Sequence, residues 1–256
     1  MKVLRALSFA ILAVLLTGLL FVAACAALVL DPVRGRVTHA IARAWGRAML
    51  SVAGVRLVVE GRERLAPGTP RVLMANHTSY LDIPTMMALF DGQLRIVARR
   101  TLIWLPFIGW FIYVGGHFAI DRDDPRQAKG LMDHVAARMR RHGLSALLFP
   151  EGTRSRDGRL GALKSGAFYL PVSLGVPLQP LAVFGLHEVL PKGAWYPRRS
   201  GIVTIRVGEP IPMEGLAGSQ GRKALAERTR TAFLALGLTE APGAGASDAD
   251  APPPAA

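Results

Sequence analysis

Short apolar segments alternate with helical stretches over most of this 256-residue chain, and that alternation restricts its fold. The apolar segments have the length and composition of β-strands; they are Val55–Glu60, Arg71–Ala75, Leu94–Ala98, Phe118–Ile120, Ser145–Phe149, Leu178–Phe184 and Ile202–Val207. Helices are predicted at Leu81–Phe90, Pro125–Arg141, Lys164–Leu174 and Gln220–Leu236. The pattern predicts an α/β fold, a mostly parallel sheet flanked by helices, with functional residues at the strand ends.

Two further helices are predicted before this sheet. Leu7–Leu30 is almost unbroken apolar sequence, and at roughly 1.5 Å per residue it can cross a hydrocarbon core of about 30 Å. A signal peptide is the competing interpretation, but the apolar run continues past Cys25, which favours an uncleaved anchor. Gly35–Val52 is predicted as a basic amphipathic helix on an anionic membrane surface. A hairpin of both helices in one leaflet and a helix packed on the domain are the alternatives.

The amino-acid composition limits the classes of partner that the protein is expected to bind. The formal net charge is +13, and a basic excess indicates nucleic acid or an anionic membrane. The apolar start and the lack of a zinc-finger or RNP-like motif favour the membrane and no nucleic acid. A single cysteine excludes an intramolecular disulfide and a cysteine-based metal cluster. The predicted organisation is an anchor and amphipathic helix over 1–53, an α/β domain over 54–238, and a disordered Ala/Pro-rich tail over 239–256.

One histidine and one aspartate follow the second predicted strand, in the stretch Asn76–Asp82. His77 suits a general base, since an unperturbed imidazole has a pKa of about 6.5. Asp82 can accept the other ring N–H and orient the imidazole. No G-x-S-x-G nucleophile motif accompanies them, which suggests that a substrate hydroxyl is the nucleophile. A histidine with only a structural role is the alternative.

A second polar turn follows the strand Ser145–Phe149. Gly152 allows backbone amides to approach a ligand and to form an anion-binding nest or an oxyanion site. Arg154 offers a planar fork suited to phosphate. Glu151 can orient Arg154 or accept a hydrogen bond from a substrate hydroxyl. A plain charged turn is the alternative here.

These residues resemble the motifs of the glycerophospholipid acyltransferases, most closely the 1-acylglycerol-3-phosphate O-acyltransferases (lysophosphatidic acid acyltransferases). The matching blocks occur in the family's order; they are His77-x4-Asp82, Gly116–Arg122, Phe149–Ser155 and Val176–Pro180, with a K-x-G-A-F stretch at Leu163–Phe168. Three positions depart from the family pattern, His117, Ala119 and Gln179. The departures concern acceptor preference and leave the reaction type unchanged.

The resemblance implies transfer of a fatty acyl group from acyl-CoA or acyl-carrier protein to the free hydroxyl of lysophosphatidic acid, giving phosphatidic acid. His77 is implied as general base and Asp82 as its orienting partner. The implied substrate-binding residues are Arg122, Glu151, Gly152, Thr153 and Arg154. No metal and no cofactor beyond the acyl donor are expected, because the thioester is already activated.

The expected location is a bacterial-type inner membrane, among membrane lipids, with the active site facing the cytoplasm. The aromatic segment Thr101–Phe118 is predicted to be an interfacial patch or the mouth of an acyl-chain pocket, with core packing as the alternative. Three other functions remain open. They are acylation of another lysolipid such as a lyso-ornithine lipid, hydrolysis with water activated by His77, and a non-catalytic role at the membrane surface.

Overall fold

The computed structural model describes residues 2–30, 35–65, 69–104, 108–120 and 125–244. Its helices are α1 (Lys2–Leu30), α2 (Arg36–Val52), α3 (Asp82–Leu89), α4 (Ile108–Val114), α5 (Pro125–His142), α6 (Tyr169–Leu174), α7 (Leu186–Val189) and α8 (Gly218–Ala235). Its strands are β1 (Val55–Glu60), β2 (Val72–Ala75), β3 (Leu94–Arg99), β4 (Phe118–Ile120), β5 (Ser145–Leu148), β6 (Leu178–Phe184) and β7 (Gly201–Val207).

The strands form one seven-stranded sheet in the order β1-β7-β6-β2-β5-β3-β4. All neighbouring pairs are parallel except β6 and β7, which are antiparallel. The predicted α/β fold with a mostly parallel sheet is therefore confirmed. Because β2 and β5 are central neighbours that run the same way, the loops after Ala75 and Leu148 leave the sheet side by side at its carboxyl edge.

The sheet is covered on both faces. Every residue of β2 and β5 is buried, as expected for central parallel strands, which read as continuous apolar runs. Helices α5, α6 and α8 pack on one face, and α2 and α3 pack on the other, with α1 and α4 beyond them. Phe9 of α1 and Met49 of α2 belong to the same buried cluster as Leu73 of β2. The N-terminal helices thus share a core with the sheet.

Helix α2 lies between α1 and α3, so the domain covers much of its apolar face. A side chain at Gly46 would place its Cβ 2.4 Å from the carbonyl oxygen of Pro84, so glycine is what allows α2 and α3 to touch. Arg36 and Arg47 remain exposed on the outer side. The alternative of a helix packed on the domain therefore describes α2 better than a helix held only by a membrane surface.

Helix α1 has one packed face and one open face. On the packed face, Trp45 Nε1 donates to Thr17 Oγ1 at 3.1 Å, and the rings of Phe21 and Trp110 lie 5.3 Å apart. The open face carries side chains at helical spacing that are each more than half exposed, Leu7, Ile11, Leu15, Leu19 and Val22. Ala6–Ala27 is long and apolar enough to cross a membrane. An open apolar face of this length suggests membrane association.

Three details differ from the sequence-based expectation. The segment predicted as a helix from Lys164 begins as a 3-10 turn at Ser165–Phe168 before α6. Helix α4 was not predicted, because its aromatic residues gave no clear helical period. The first residues of the expected tail are held on the domain, where Ala241 N–H donates to Leu160 O at 2.9 Å and Ala244 is buried. The rest of that tail lies outside the described residues.

The unusual Gln179 has a structural explanation. Its side chain is fully buried in β6. Its Oε1 accepts a hydrogen bond from Arg71 Nη1 at 2.7 Å, and its Nε2 donates to the carbonyl oxygen of Gly208. Burial lowers the pKa of the Arg71 guanidinium, so the amide oxygen offsets the cost of covering this cation. The residue therefore stabilises the sheet, and its link to acceptor preference stays a prediction.

Replacing two leucines on the open face of α1 tests the membrane association. A charge moved into the hydrocarbon costs about 2.5–3.5 kcal/mol, so Leu15→Asp with Leu19→Asp is expected to shift most of the protein from the membrane pellet to the supernatant. Flotation on anionic vesicles measures this. Ile202→Asp, at an equally exposed position on β7, is the control. Equal flotation of both variants would contradict a lipid-facing α1.

Candidate active site

Asn76, the residue before His77, fixes the position of that histidine. Asn76 follows β2 directly and is fully buried. Its Oδ1 accepts the N–H of Val183 at 2.8 Å, and its Nδ2 donates to the C=O of Val183 at 3.0 Å. The side-chain amide of Asn76 thus makes the two hydrogen bonds to β6 that the backbone of one more β2 residue would make. The next residue, His77, leaves the sheet at a defined point on the carboxyl edge.

His77 and Asp82 are in direct contact. His77 Nδ1 lies 2.6 Å from Asp82 Oδ2, and the aspartate side chain is fully buried while the histidine side chain is 21% exposed. The same Oδ2 accepts the N–H groups of Thr78 at 2.7 Å and Ser79 at 2.9 Å. Asp82 is also the first residue of α3, where the helix dipole favours a carboxylate. Because Nδ1 faces this acceptor, the ring proton belongs there and Nε2 carries the lone pair.

The carboxylate of Glu151 lies beneath the histidine loop. Its Oε1 accepts the N–H of His77 at 2.8 Å, and its Oε2 accepts the N–H of Gly161 at 2.9 Å. Only 4% of the residue is exposed, and burial raises the pKa of its carboxyl against the opposing effect of the two N–H groups. The sequence predicted substrate contact here. The structure places Glu151 between two backbone segments, whose buried N–H groups require an acceptor. Its contact with the substrate stays a prediction.

The turn after β5 packs along the other side of the histidine. The ring of Phe149 stacks on the imidazole of His77, with centroids 4.2 Å apart and planes at 18°. Ser155 N–H donates to the carbonyl oxygen of His77 at 2.6 Å. Gly152 has φ of +70°, and its N–H donates to Phe149 O at 3.1 Å. This amide therefore closes the turn and is not directed at an oxyanion.

Two cations, Arg154 and Lys192, meet at this turn. The guanidinium of Arg154 lies over the ring of Tyr80, 3.6 Å from its centroid. Its Nη1 is buried and has no hydrogen-bond partner within the described ranges. Lys192 Nζ donates to the carbonyl oxygen of Arg154 at 2.7 Å and to Thr153 Oγ1 at 3.3 Å. The site thus presents positive charge and one uncommitted guanidinium nitrogen, as an anionic substrate requires.

Most of the predicted site residues meet at this edge of the sheet. The two loops bring them together, and they are His77, Asp82, Glu151, Gly152, Thr153 and Arg154. Arg122 lies outside the described residues. In the described part of the chain, no group of three or more His, Cys, Asp or Glu side chains could hold a metal ion.

Sequence reasoning missed Lys192 and Tyr80. Tyr80 lies between His77 and Asp82 in the chain, and only the structure shows that it is 55% exposed and stacked under Arg154. Lys192 follows α7 in the stretch Leu190-Pro191-Lys192-Gly193, which carries no chemical pattern of its own. Only the connection from β6 to β7 brings it to the turn after β5.

Comparison with known protein families matches residues 56–184, half of the chain, to the family described as Acyltransferase. The chain belongs to this acyltransferase family. It is 33% identical over 186 residues to the chloroplastic 1-acyl-sn-glycerol-3-phosphate acyltransferase LPAT1 of Arabidopsis thaliana, a match that covers 72% of this chain and 51% of the relative. It is 34% identical over 185 residues to the 1-acyl-sn-glycerol-3-phosphate acyltransferase alpha of Homo sapiens, covering 72% and 64%.

The chain thus spans between half and two thirds of the length of these relatives. A solved structure of similar fold is the 1-acyl-sn-glycerophosphate acyltransferase PlsC of Thermotoga maritima. The two superpose with a TM-score of 0.75 at 21% identity, over 91% of this chain and 94% of that one. This likeness supports the fold of the acyltransferase described above.

The position of Glu151 predicts how its amide variant behaves. In Glu151→Gln, one side-chain oxygen is replaced by a donor that faces a backbone N–H, so the free energy of unfolding is expected to fall by about 1–3 kcal/mol. The kcat of acyl transfer should fall with it, while the KM for the acceptor changes little. Thermal unfolding and steady-state kinetics measure both, with the exposed Glu214→Gln as control. A raised acceptor KM with unchanged stability would indicate substrate contact instead.

Proposed function

We propose that the protein transfers a fatty acyl group from acyl-CoA or acyl-carrier protein to the free hydroxyl of 1-acylglycerol 3-phosphate, forming phosphatidic acid. The observation that carries this proposal is the His77–Asp82 contact beside Arg154, whose Nη1 has no partner among the residues that the structure describes. A base next to a cation, with no protein nucleophile, fits a substrate that brings both a hydroxyl and a phosphate. The names of the relatives support this acceptor.

The proposed reaction starts at the exposed edge of His77. Its Nε2 takes the proton of the acceptor hydroxyl as that oxygen attacks the thioester carbonyl, forming the new C–O bond. The C–S bond then breaks, and the leaving thiolate, whose thiol has a pKa of about 8.5, recovers the proton from His77. Asp82 stays bonded to Nδ1 and stabilises the imidazolium. The stack of Phe149 on the ring keeps the imidazole in one orientation.

The acceptor phosphate is proposed to bind at Arg154. Stacking on Tyr80 holds the guanidinium in place, and its uncommitted Nη1 can donate to a phosphate oxygen. Lys192 adds a second charge and, through its bond to the Arg154 carbonyl oxygen, supports the backbone of the turn. Arg122 is a further predicted phosphate contact from the sequence motif.

The acyl chains are proposed to reach the site from a membrane. The open face of α1 and the exposed aromatics Trp104, Trp110 and Tyr113 form an apolar surface of the kind found at headgroup level. Cavities beside α4 offer space for the donor chain. We expect a bacterial-type inner membrane, with the site on the cytoplasmic side where acyl-CoA and acyl-carrier protein occur.

An assay of the purified, detergent-solubilised protein tests the function. Labelled oleoyl-CoA is incubated with a panel of lysolipids and the products are separated. Acylation of lysophosphatidic acid well above the other acceptors is the expected result. Acylation of a different acceptor, such as a lyso-ornithine lipid, would keep the mechanism and change the substrate. Free fatty acid alone would indicate a hydrolase, and no product from a folded sample with either donor would indicate a non-catalytic role.

Removing the proposed base should abolish transfer. His77→Ala is expected to lower kcat by about 10³-fold or more, because base and orienting partner act as a unit. Membrane binding should stay near that of the parent protein. The variant should remain folded with a lower thermal stability, because buried Asp82 loses one of its donors. His134→Ala, on the exposed side of α5, is the matched control with full activity. Appreciable turnover by His77→Ala would remove this residue as the base.

Arg154→Met tests the phosphate assignment. Loss of a charge-assisted hydrogen bond costs about 1.5–3 kcal/mol, so the KM for lysophosphatidic acid should rise roughly 10- to 100-fold. The KM for oleoyl-CoA should change little. Arg156→Met removes an exposed arginine of the same turn and should leave both values unchanged. A rise confined to the donor KM would show that Arg154 binds the donor.

A further inference from the structure

A narrow cavity of about 50 Å³ lies between α1, α2, α4 and the start of β3. Its wall is mostly apolar, with side chains such as Leu20, Phe21, Trp45 and Phe111. A second cavity of about 390 Å³ shares Trp110 and His117 with it and extends to residues near the carboxyl end of β3. His77 lies at the same edge of the sheet. The second cavity thus lies nearer than the first to the edge of the sheet that carries His77.

Two polar groups in the wall of the first cavity lack partners. His117 is 9% exposed and Thr38 is 4% exposed, and both line the cavity. Neither His117 Nε2 nor Thr38 Oγ1 has a hydrogen-bond partner in the part of the chain that the structure describes. A Cβ built on Gly115, which also lines the cavity, would lie 2.5 Å from His117 Nε2. The nitrogen therefore lies beside Gly115, and both residues line the cavity.

The hydrogen bonds of His117 define what that nitrogen can do. Its Nδ1 accepts the backbone N–H of Ile96 at 3.1 Å, so Nδ1 carries no proton and the neutral ring carries its proton on Nε2. Burial is the main reason why the pKa of His117 lies well below its usual range, and the charges of Arg95 and His39 lower it further. The ring is therefore a neutral N–H donor facing an apolar cavity. A buried donor without an acceptor costs about 1–3 kcal/mol.

We propose that this cavity binds the distal part of an acyl chain that carries an oxygen substituent, with His117 Nε2–H and the Thr38 hydroxyl as its hydrogen-bonding partners. The proposal rests on the proposed acyl transfer and names the chemical class of donor that the enzyme prefers. A plain hydrocarbon fills the apolar wall but leaves both polar groups unpaired. A hydroxylated chain satisfies them, and sites built to hydrogen-bond a hydroxyl discriminate strongly against analogues that lack it.

The register of the sheet gives the distance between His77 and the region of His117, and a long acyl chain can span it. Ile96, bonded to His117, pairs with Leu147, which pairs with Leu73. His77 is four residues further along the chain. Ile96, whose N–H is bonded to the His117 ring, is therefore separated from His77 by roughly 13 Å along the strands and 10 Å across two strand spacings. The direct separation of roughly 16 Å is close to the length of an extended acyl chain from its thioester to a hydroxyl in its distal half.

Ricinoleoyl-CoA and oleoyl-CoA form a matched pair of probes, since they differ by one hydroxyl in the distal half of the chain. The measured quantity is the ratio of their kcat/KM values, with lysophosphatidic acid as acceptor and the full-length protein in detergent. The parent protein is expected to favour ricinoleoyl-CoA by at least about tenfold. His117→Leu should bring the ratio to about one, chiefly by lowering kcat/KM for the hydroxylated donor.

Further variants distinguish the loss of a hydrogen bond to the acyl chain from the loss of the folded structure. His117→Gln keeps an acceptor for Ile96 N–H and a donor toward the cavity, so the preference should persist. Thr38→Val removes only the hydroxyl and should reduce the preference in part. His134→Leu makes the same exchange at an exposed site away from the cavity and should leave the ratio unchanged. Thermal unfolding of each variant confirms that folded protein was compared.

A binding titration keeps this proposal distinct from the proposed function. Trp45 and Trp110 line the cavity, so their fluorescence reports occupancy by either acyl-CoA without turnover. Tighter binding of ricinoleoyl-CoA that is lost in His117→Leu supports the cavity assignment even if no transfer occurs. Equal ratios and equal affinities for the two donors in the parent protein and in His117→Leu would overturn it. Absence of transfer with normal selective binding would overturn only the proposed function.

Discussion

The active site depends on one buried carboxylate. Asp82 is fully buried, and a charge in that position is tolerated only when donors surround it. The donors are Nδ1 of His77, the N–H groups of Thr78 and Ser79, and the first turn of α3. Satisfying this one group therefore sets the path of the chain from the end of β2 into α3. The orientation of the imidazole follows from the same constraint.

A second set of contacts joins that loop to the turn after β5. The N–H of His77 is bonded to Glu151, and its C=O is bonded to Ser155. Both backbone groups of the proposed base are thus held by the neighbouring turn, while its ring stacks on Phe149. These contacts hold the backbone and the ring of His77 in one position, and such preorganisation favours the proposed transfer reaction.

The sequence predicted the strands well because central parallel strands are apolar throughout, as in Val72–Ala75 and Ser145–Leu148. It also predicted which residues would gather at the carboxyl edge, since that follows from the order of strands and turns. The position of Glu151 was not predictable, because its partner Gly161 is brought near His77 only by tertiary folding. Lys192 and the cavity beside His117 depend on contacts between segments far apart in the chain, for which local patterns carry no signal.

The pairing of the first and last strands bears on how the chain is made. Val55 in β1 pairs with Gly201 in β7, and no other strand neighbours β1 in the described sheet. Strand β1, which follows α2, therefore stays unpaired until nearly the whole domain has left the ribosome, an interval of roughly 7–30 seconds at about 5–20 residues per second. During that interval β1 is an open edge able to pair with a neighbouring chain. Two of its three exposed residues, Arg56 and Glu60, are charged, which lowers this risk.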